Sequence, residues 1–341
     1  MKKILLFLVF GMLVAGCVQQ QAPPAASQSP TFAASVAELP SPAPPEIVAN
    51  TPMPSASATP TVEAKKPDFA VNWSKDEGTR VADGSVPFAF KMKDGRIRLY
   101  YCGPGGILSA ISQDSLTFNK EEGVRFNSNQ GSTCDPSVVS LPDGRFRMYY
   151  KIAFGQGGPG SAVHKIYSAV SSDGLTFQDE GLRIDSEKTG DNGWASVPEA
   201  VLLEDGGVRI YYVSGDFEAR GGTMSAVSAD GLAFDKEAGA RTEALVDPAV
   251  LHLSDGAFLL LGVSLPAPLG HEQELPQGIY ALFSKDGLNF GEPEPVLQEN
   301  GVYDPSIIQL DENTFRVYYG KDGGSPGNPN IVTKSITGKK Q

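Results

Sequence analysis

Carboxylates recur beside prolines in this chain, and their spacing is what could do chemistry. Asp135-Pro136, Asp247-Pro248 and Asp304-Pro305 share one pattern. Val197-Pro198-Glu199 places a carboxylate just after the proline, and Val86-Pro87 has none beside it. If the fold gathers these positions, like charges face one another, and at least one carboxyl is pushed to keep its proton near neutral pH. One protonated acid across from one ionised carboxylate is the arrangement that hydrolysis of a glycosidic bond uses.

The elements that must position these groups come in repeats. The third copy, SVPEAVLLEDGGVRIYYVS, has a proline-headed apolar strand, an Asp-Gly turn and a strand ending in two tyrosines. A third strand, a Ser-x-Asp-Gly-Leu-x-Phe turn and a fourth strand complete the unit. The heading prolines 87, 136, 198, 248 and 305 recur at roughly 50-residue steps, the period of four-stranded propeller blades. The expected fold is therefore all-β: a five-bladed β-propeller with four antiparallel strands per blade. The fifth copy ends after its third strand, while residues 73–80 line up with 118–125. The N-terminal strand is thus predicted to complete the last blade and cover an edge that would otherwise stay unpaired.

Strand direction assigns the faces. The Asp-Gly and Ser-x-Asp-Gly turns fall together on one face, where Ser and Asp side chains hold the turn backbone and Gly takes the positive-φ position. The proline-headed strand starts share the other face with the long loops 154–163, 214–222, 264–278 and 320–329, so binding belongs there. Phe118, Phe177, Phe234 and Phe290 are expected between blades. Alternation along the tyrosine strands predicts one ring of each pair in the core.

Five blades, the Asp-Pro strand openings and Glu199 in its Pro-Glu-Ala setting resemble the five-bladed propeller glycosidases, the arabinanase, xylosidase, invertase and levansucrase superfamily (family 43 and family 32-like), over about 80% of the chain. The resemblance implies a general acid at Glu199 and an orienting, pKa-tuning role for Asp135. It also implies an Asp base or nucleophile in blade one, where this chain has Val86; Asp83, three residues upstream, is the candidate to reach into the funnel from the preceding loop. Two readings stay open. One is a glycoside hydrolase using Glu199 and Asp135. The other is a non-catalytic glycan-binding or protein-interaction module on the same scaffold. Asp247 and Asp304 are candidates for substrate contact or for capping backbone amides at the strand starts. Trp194 suits a sugar-stacking platform or interblade packing. His271, with Glu272 and Glu274, sits in a long loop; His164 begins a strand, and His252 lies along one. No His/Cys/carboxylate spacing forms a metal motif. No cofactor is expected, with calcium in the acidic funnel the only ion its carboxylates suggest. Cys102 and Cys134 fall on the same face of neighbouring blades and are expected to form a disulfide.

The N-terminal region reads differently. Lys2 and Lys3, the apolar residues 4–16 and Val14-Ala15-Gly16-Cys17 resemble a lipoprotein signal peptide ending at a lipidated Cys17. Residues 18–67 read as a Pro/Ala/Ser-rich disordered tether, followed by the propeller at 68–341. These features place the protein in the cell envelope, lipid-anchored and facing away from the cytoplasm. The formal charge of −12 and the lack of any basic run argue against nucleic-acid binding. The expected ligand is a carbohydrate, the only membrane contact is the lipid, and the folded part is expected to be a monomer.

Overall fold

The computed structural model describes residues 69–155, 162–215, 222–265, 275–323 and 331–341. Cys17, the tether and His271 lie outside the described residues, as does most of each long loop named above. Among the described residues there is no helix.

In chain order the strands are β1 (Val71–Lys75); β2 (Ser85–Lys91), β3 (Ile97–Gly103), β4 (Gly106–Ser112) and β5 (Asn119–Lys120), which form blade one. Blade two is β6 (Ser132–Ser140), β7 (Phe146–Phe154), β8 (Val163–Ser171) and β9 (Gln178–Ile184). Blade three is β10 (Ala195–Leu202), β11 (Val208–Ser214), β12 (Thr223–Ser228) and β13 (Asp235–Lys236). Blade four is β14 (Val246–His252), β15 (Phe258–Ser264), β16 (Gly278–Ser284) and β17 (Glu294–Gln298). Blade five is β18 (Val302–Asp311), β19 (Thr314–Asp322) and β20 (Ile331–Lys340), and β1 is its outer strand. The register runs Val71 opposite Lys340 to Lys75 opposite Ile336, so the predicted ring closure is present.

Both rings of each tyrosine pair are buried, which corrects the one-ring expectation. Tyr100/Tyr101, Tyr149/Tyr150 and Tyr211/Tyr212 are all at most 1% exposed. A sheet with one solvated face would alternate, but an inner blade strand has a neighbouring blade on each side.

The seams between blades repeat one device. Tyr100, Tyr149 and Tyr211 each donate their hydroxyl to the turn glycine carbonyl of the next blade, at Gly174, Gly231 and Gly287, all at 2.8 Å. Arg147 and Arg209 donate to the same turns at Asp230 and Asp286. Each Arg also pairs with a carboxylate on or directly after its own outer strand, Arg98 with Glu121, Arg147 with Glu180 and Arg209 with Glu237, at 2.7–2.9 Å. Ser109, Ser168 and Ser225 donate to those carboxylates from the third strand. Phe177, Phe234 and Phe290 meet the tyrosines edge-on, and Phe118 meets Tyr318, as expected between blades. The turn carboxylates serve the backbone: Asp173 Oδ1 accepts from Leu175 and Thr176 N–H, which holds this carboxyl below its usual range. Blade one carries a fourth such turn, with Ser115 (φ 62°) where the others have Gly. Tyr318 and Arg316 of blade five donate to the Ser115 carbonyl.

Blade four departs from the device because of what it faces. Blade five lacks the turn, its outer strand being supplied from the N-terminus. Blade four accordingly has Leu259 at the Arg position and Ala281 at the Ser position, with Glu294 opposite it. Leu259 and Leu261 join an apolar cluster with Phe315, Val317 and Ile336, against which Val71 and Trp73 pack.

Candidate functional site

The strand starts converge as the repeat requires, and the local backbone explains how. Each innermost strand has a register shift at its proline, a β-bulge between Ser85 and Phe88, Cys134 and Ser137, Ser196 and Glu199, Val246 and Ala249, and Tyr303 and Ser306. The residue before the proline is left-handed in all five blades. Val86, Asp135, Val197, Asp247 and Asp304 have φ of 51°, 56°, 49°, 53° and 47°. This region is costly for non-glycine residues, most of all for β-branched valine, and is kept only where the surrounding structure enforces it. Bulges re-aim side chains, and here the five prolines line a central floor with Val86, Asp135, Val197, Glu199 and Asp304. Between them the centre of a water molecule has about 10 Å³, the room of one water or one hydroxyl. A larger apolar groove of about 230 Å³, between Phe90 and Phe146, lies at the far ends of blades one and two and gathers no such chemistry.

Asp135 is buried, and its duties are visible. Its Oδ2 accepts from the Ser196 hydroxyl at 3.0 Å and from Val197 N–H at 3.1 Å, both in blade three. Lys151 approaches the same oxygen at 3.2 Å. This lysine follows the second tyrosine of blade two, and sequence reasoning missed it; the Tyr-Tyr-Lys order at a strand's upper end was the available signal. Asp247 repeats the capping role, its Oδ2 accepting from Asp304 N–H at 3.4 Å.

Glu199 is also buried, and its surroundings differ from those of the aspartates. Ser137 in blade two accepts from Ala200 N–H in blade three at 2.9 Å, and Ser306 accepts from Ala89 N–H in blade one at 2.8 Å. Glu199 holds the same place in its blade: Oε1 accepts from Val250 N–H of blade four at 3.2 Å, and Oε2 accepts from the Ser137 hydroxyl at 3.4 Å. By position it matches these serines, while Val197 matches the aspartates. Burial pushes Glu199 up to about 8, and the two hydrogen bonds pull against that rise. The proton-retaining carboxyl expected from like charges is found at another pair. Burial and then Asp247 drive Asp304 well above its usual range. Asp247 itself is raised to about 6, chiefly by burial.

Asp83 does not reach the floor, which corrects its candidacy. It is half exposed and paired at 2.5 Å with Lys120 on the outer strand β5. Trp194 joins blade two to blade three: its ring stacks on His164 with centroids 3.6 Å apart, and the two residues form a parallel bridge. Its backbone is set by Asp191, whose carbonyl accepts from Trp194 N–H. The fully buried Asp191 carboxylate takes Lys236 at 2.5 Å, Ser214 at 2.6 Å and Tyr212 at 3.1 Å. Gly215 permits this packing, since a Cβ there would meet Trp194 Cβ at 1.9 Å. His164 is buried, and burial followed by the nearby Lys151 lowers it to about 4, so it is neutral. His252 stacks on Phe258 away from the floor.

Cys102 and Cys134 form the expected disulfide between blades one and two, with Cα atoms 5.3 Å apart. Asp135 N–H points at Cys102 Sγ, 3.1 Å away. These two sulfurs and Asp135 are the group of potential metal ligands gathered within 4.8 Å among the described residues, and both sulfurs are committed to the disulfide.

Neither a protein-family model nor a curated protein sequence matches this chain. Solved structures share its fold. A thermostable family-43 glycoside hydrolase is 16% identical with a TM-score of 0.56, covering 78% of this chain and 91% of that one. An alpha-L-arabinofuranosidase from Lactobacillus brevis is 14% identical with a TM-score of 0.58, covering 75% and 90%. An N-acetylgalactosamine deacetylase from F. plautii, solved in complex with blood group B trisaccharide, is 13% identical with a TM-score of 0.58, covering 79% and 95%. The chain, a five-bladed propeller, shares its fold with these structures.

Proposed function

We propose that this protein binds the end of a glycan in the central funnel of its propeller without hydrolysing it. The observation that carries this reading is the commitment of Glu199. Both of its oxygens are held in the seams between blades, by Val250 N–H and the Ser137 hydroxyl, and Val86 stands where a blade-one base would be. Asp135 is likewise committed, to Val197 N–H, Ser196 and Lys151. A hydrolase needs an acid free to turn toward a leaving oxygen and a base free to activate water.

Hydrolysis is the second reading, and one observation favours it: Glu199 lines the floor and holds its proton near neutral pH, as a general acid must. It would require a second carboxylate about 5–9.5 Å from Glu199 with open space between them. The signal-like segment and tether ahead of residue 69 support an envelope location, with the propeller tethered to a lipid anchor at Cys17.

The deciding experiment is a glycan array beside a chromogenic-glycoside panel, run on wild type and Glu199→Gln. Binding without turnover in wild type is expected. Turnover in wild type that disappears in Glu199→Gln would overturn the binding reading in favour of hydrolysis.

A further inference from the structure

We infer that Asp304 is the funnel residue that meets the bound sugar, and that it does so as a neutral carboxylic acid, donating one hydrogen bond and accepting another. This rests on the glycan-binding reading and names the group that performs it.

The inference follows from what each funnel carboxyl is already doing. Asp135 is engaged by two blade-three donors and Lys151. Glu199 has both oxygens in the seams, and Asp247 Oδ2 accepts from Asp304 N–H. Asp304 lines the floor and is half-buried, yet its carboxyl oxygens have no hydrogen-bond partner among the described residues. They are not sealed-off orphans either, since the fully buried unpartnered atoms belong to other residues. The Asp304 carboxyl therefore opens onto the funnel space.

Its neighbours decide its charge. The groups acting on Asp304 are Asp247, Asp135 and Lys151, with Glu199 on the same floor and Tyr303 beside it in the chain. Lys151 is committed to Asp135. Burial, and then the nearby Asp247 carboxyl with no cation of its own, favour the protonated form of Asp304. The site thus offers a hydroxyl donor and a carbonyl acceptor, with no net positive charge. That chemistry suits the hydroxyl groups of a neutral sugar and disfavours a uronate or a sulfated sugar. The room for a single water-sized group means that one hydroxyl reaches the floor while the ring stays above it.

The test uses the full chain and two readouts. Binding of neutral pentoses and hexoses, and of galacturonate, is measured by calorimetry from pH 5 to 9 for wild type, Asp304→Asn and Asp304→Ala, with a melt of each variant. Infrared difference spectra record the C=O stretch of a protonated carboxyl without any ligand. Wild type is expected to bind neutral sugars and to weaken as pH rises. Asp304→Asn, which keeps a neutral donor and acceptor, is expected to bind with a flatter pH profile and to lose the Asp304 component of the infrared band, leaving that of Glu199. Asp304→Ala is expected to bind about tenfold more weakly, the loss of one or two hydrogen bonds. Unchanged binding by a folded Asp304→Ala, preference for galacturonate, or binding abolished by EDTA overturns this inference alone. Failure of wild type to bind any sugar overturns the glycan reading, and this inference with it.

Discussion

Val197 N–H donates to Asp135 Oδ2 at 3.1 Å, so the carboxylate that opens blade two caps the strained strand start of blade three. Asp247 does the same for Asp304 of blade five. At Asp135 and Asp247 the carboxylate before a proline is thus a coupling element between blades before it is anything else.

Removing that element has a definite cost. Asp135→Ala leaves Lys151 buried without its partner and strips the cap from Val197, so a loss of about 3–5 kcal/mol is expected. Adding Lys151→Met should recover part of it. Urea denaturation of the single and double variants measures both. A loss in Asp135→Ala that Lys151→Met leaves unchanged would show that the ion pair is not the cause.

Glu199 sets a pH dependence. Its folded-state pKa of about 8 lies above the ordinary value of 4.5, so the native state keeps a proton that the unfolded chain releases between those two values. Stability from this group is complete below about pH 4.5 and declines as pH rises through 8, by up to about 1.4 kcal/mol per unit. Asp247 and Asp304, also raised, act in the same direction. Glu199→Gln keeps the acceptor for Val250 N–H and loses the titration. Its stability between pH 5 and 8.5 should fall less steeply than wild type, and parallel slopes would sink the assignment.

The disulfide closes a loop across a sequence separation of 32 residues. Chain-entropy reasoning gives about 3–4 kcal/mol for a loop of this size. The Cys102→Ser, Cys134→Ser double variant is expected to lose that amount and to lower the melting temperature. A double variant as stable as wild type would show that the seam holds without the bond.

Blade four makes a prediction against its own repeat. Leu259→Arg restores the residue found in the other four blades, and Glu294 stands opposite Ala281 on the outer strand, yet blade five offers it no turn carbonyl and its surroundings are apolar. The guanidinium would be desolvated in the apolar cluster without the seam carbonyl its counterparts use, so a loss of stability of about 3 kcal/mol or more is expected. Tyr211→Phe, which removes only the bond to Gly287, should cost about 1 kcal/mol. Circular dichroism melts of both variants check the contrast.

The repeat carried the architecture because blades two and three restate it in full and the others in part: heading proline, Asp-Gly turn, paired tyrosines, Ser-x-Asp-Gly turn. The face assignment followed from strand direction, and the Cys102–Cys134 bond agrees with it. What escaped depended on contacts between blades. The second ring of each tyrosine pair is buried because a neighbour covers the other side, which a single-strand pattern does not report. Glu199 looked equivalent to the aspartates because the bulge was invisible, and two residues along a bulged strand change what a side chain faces. Lys151 and Asp191 escaped because isolated polar residues carry no periodic signal. Asp83 was drawn toward the funnel by sequence proximity alone, when Lys120 across the blade held it outward.

The ring is closed by five residue pairs between β1 and β20, by Trp73 lying on Gly338, and by the Gln341 N–H bond to the Ala70 carbonyl. β1 is also where the chain enters the propeller, so any pull on the segment ahead of Phe69 is delivered to this seam before the rest of the ring. The force arrives at the end where Val71 faces Lys340, loading the ladder pair by pair instead of all at once. The closure is thus the mechanical fuse of the molecule: under tension it should open first and expose the outer edge of β20, while the four continuous blades remain folded.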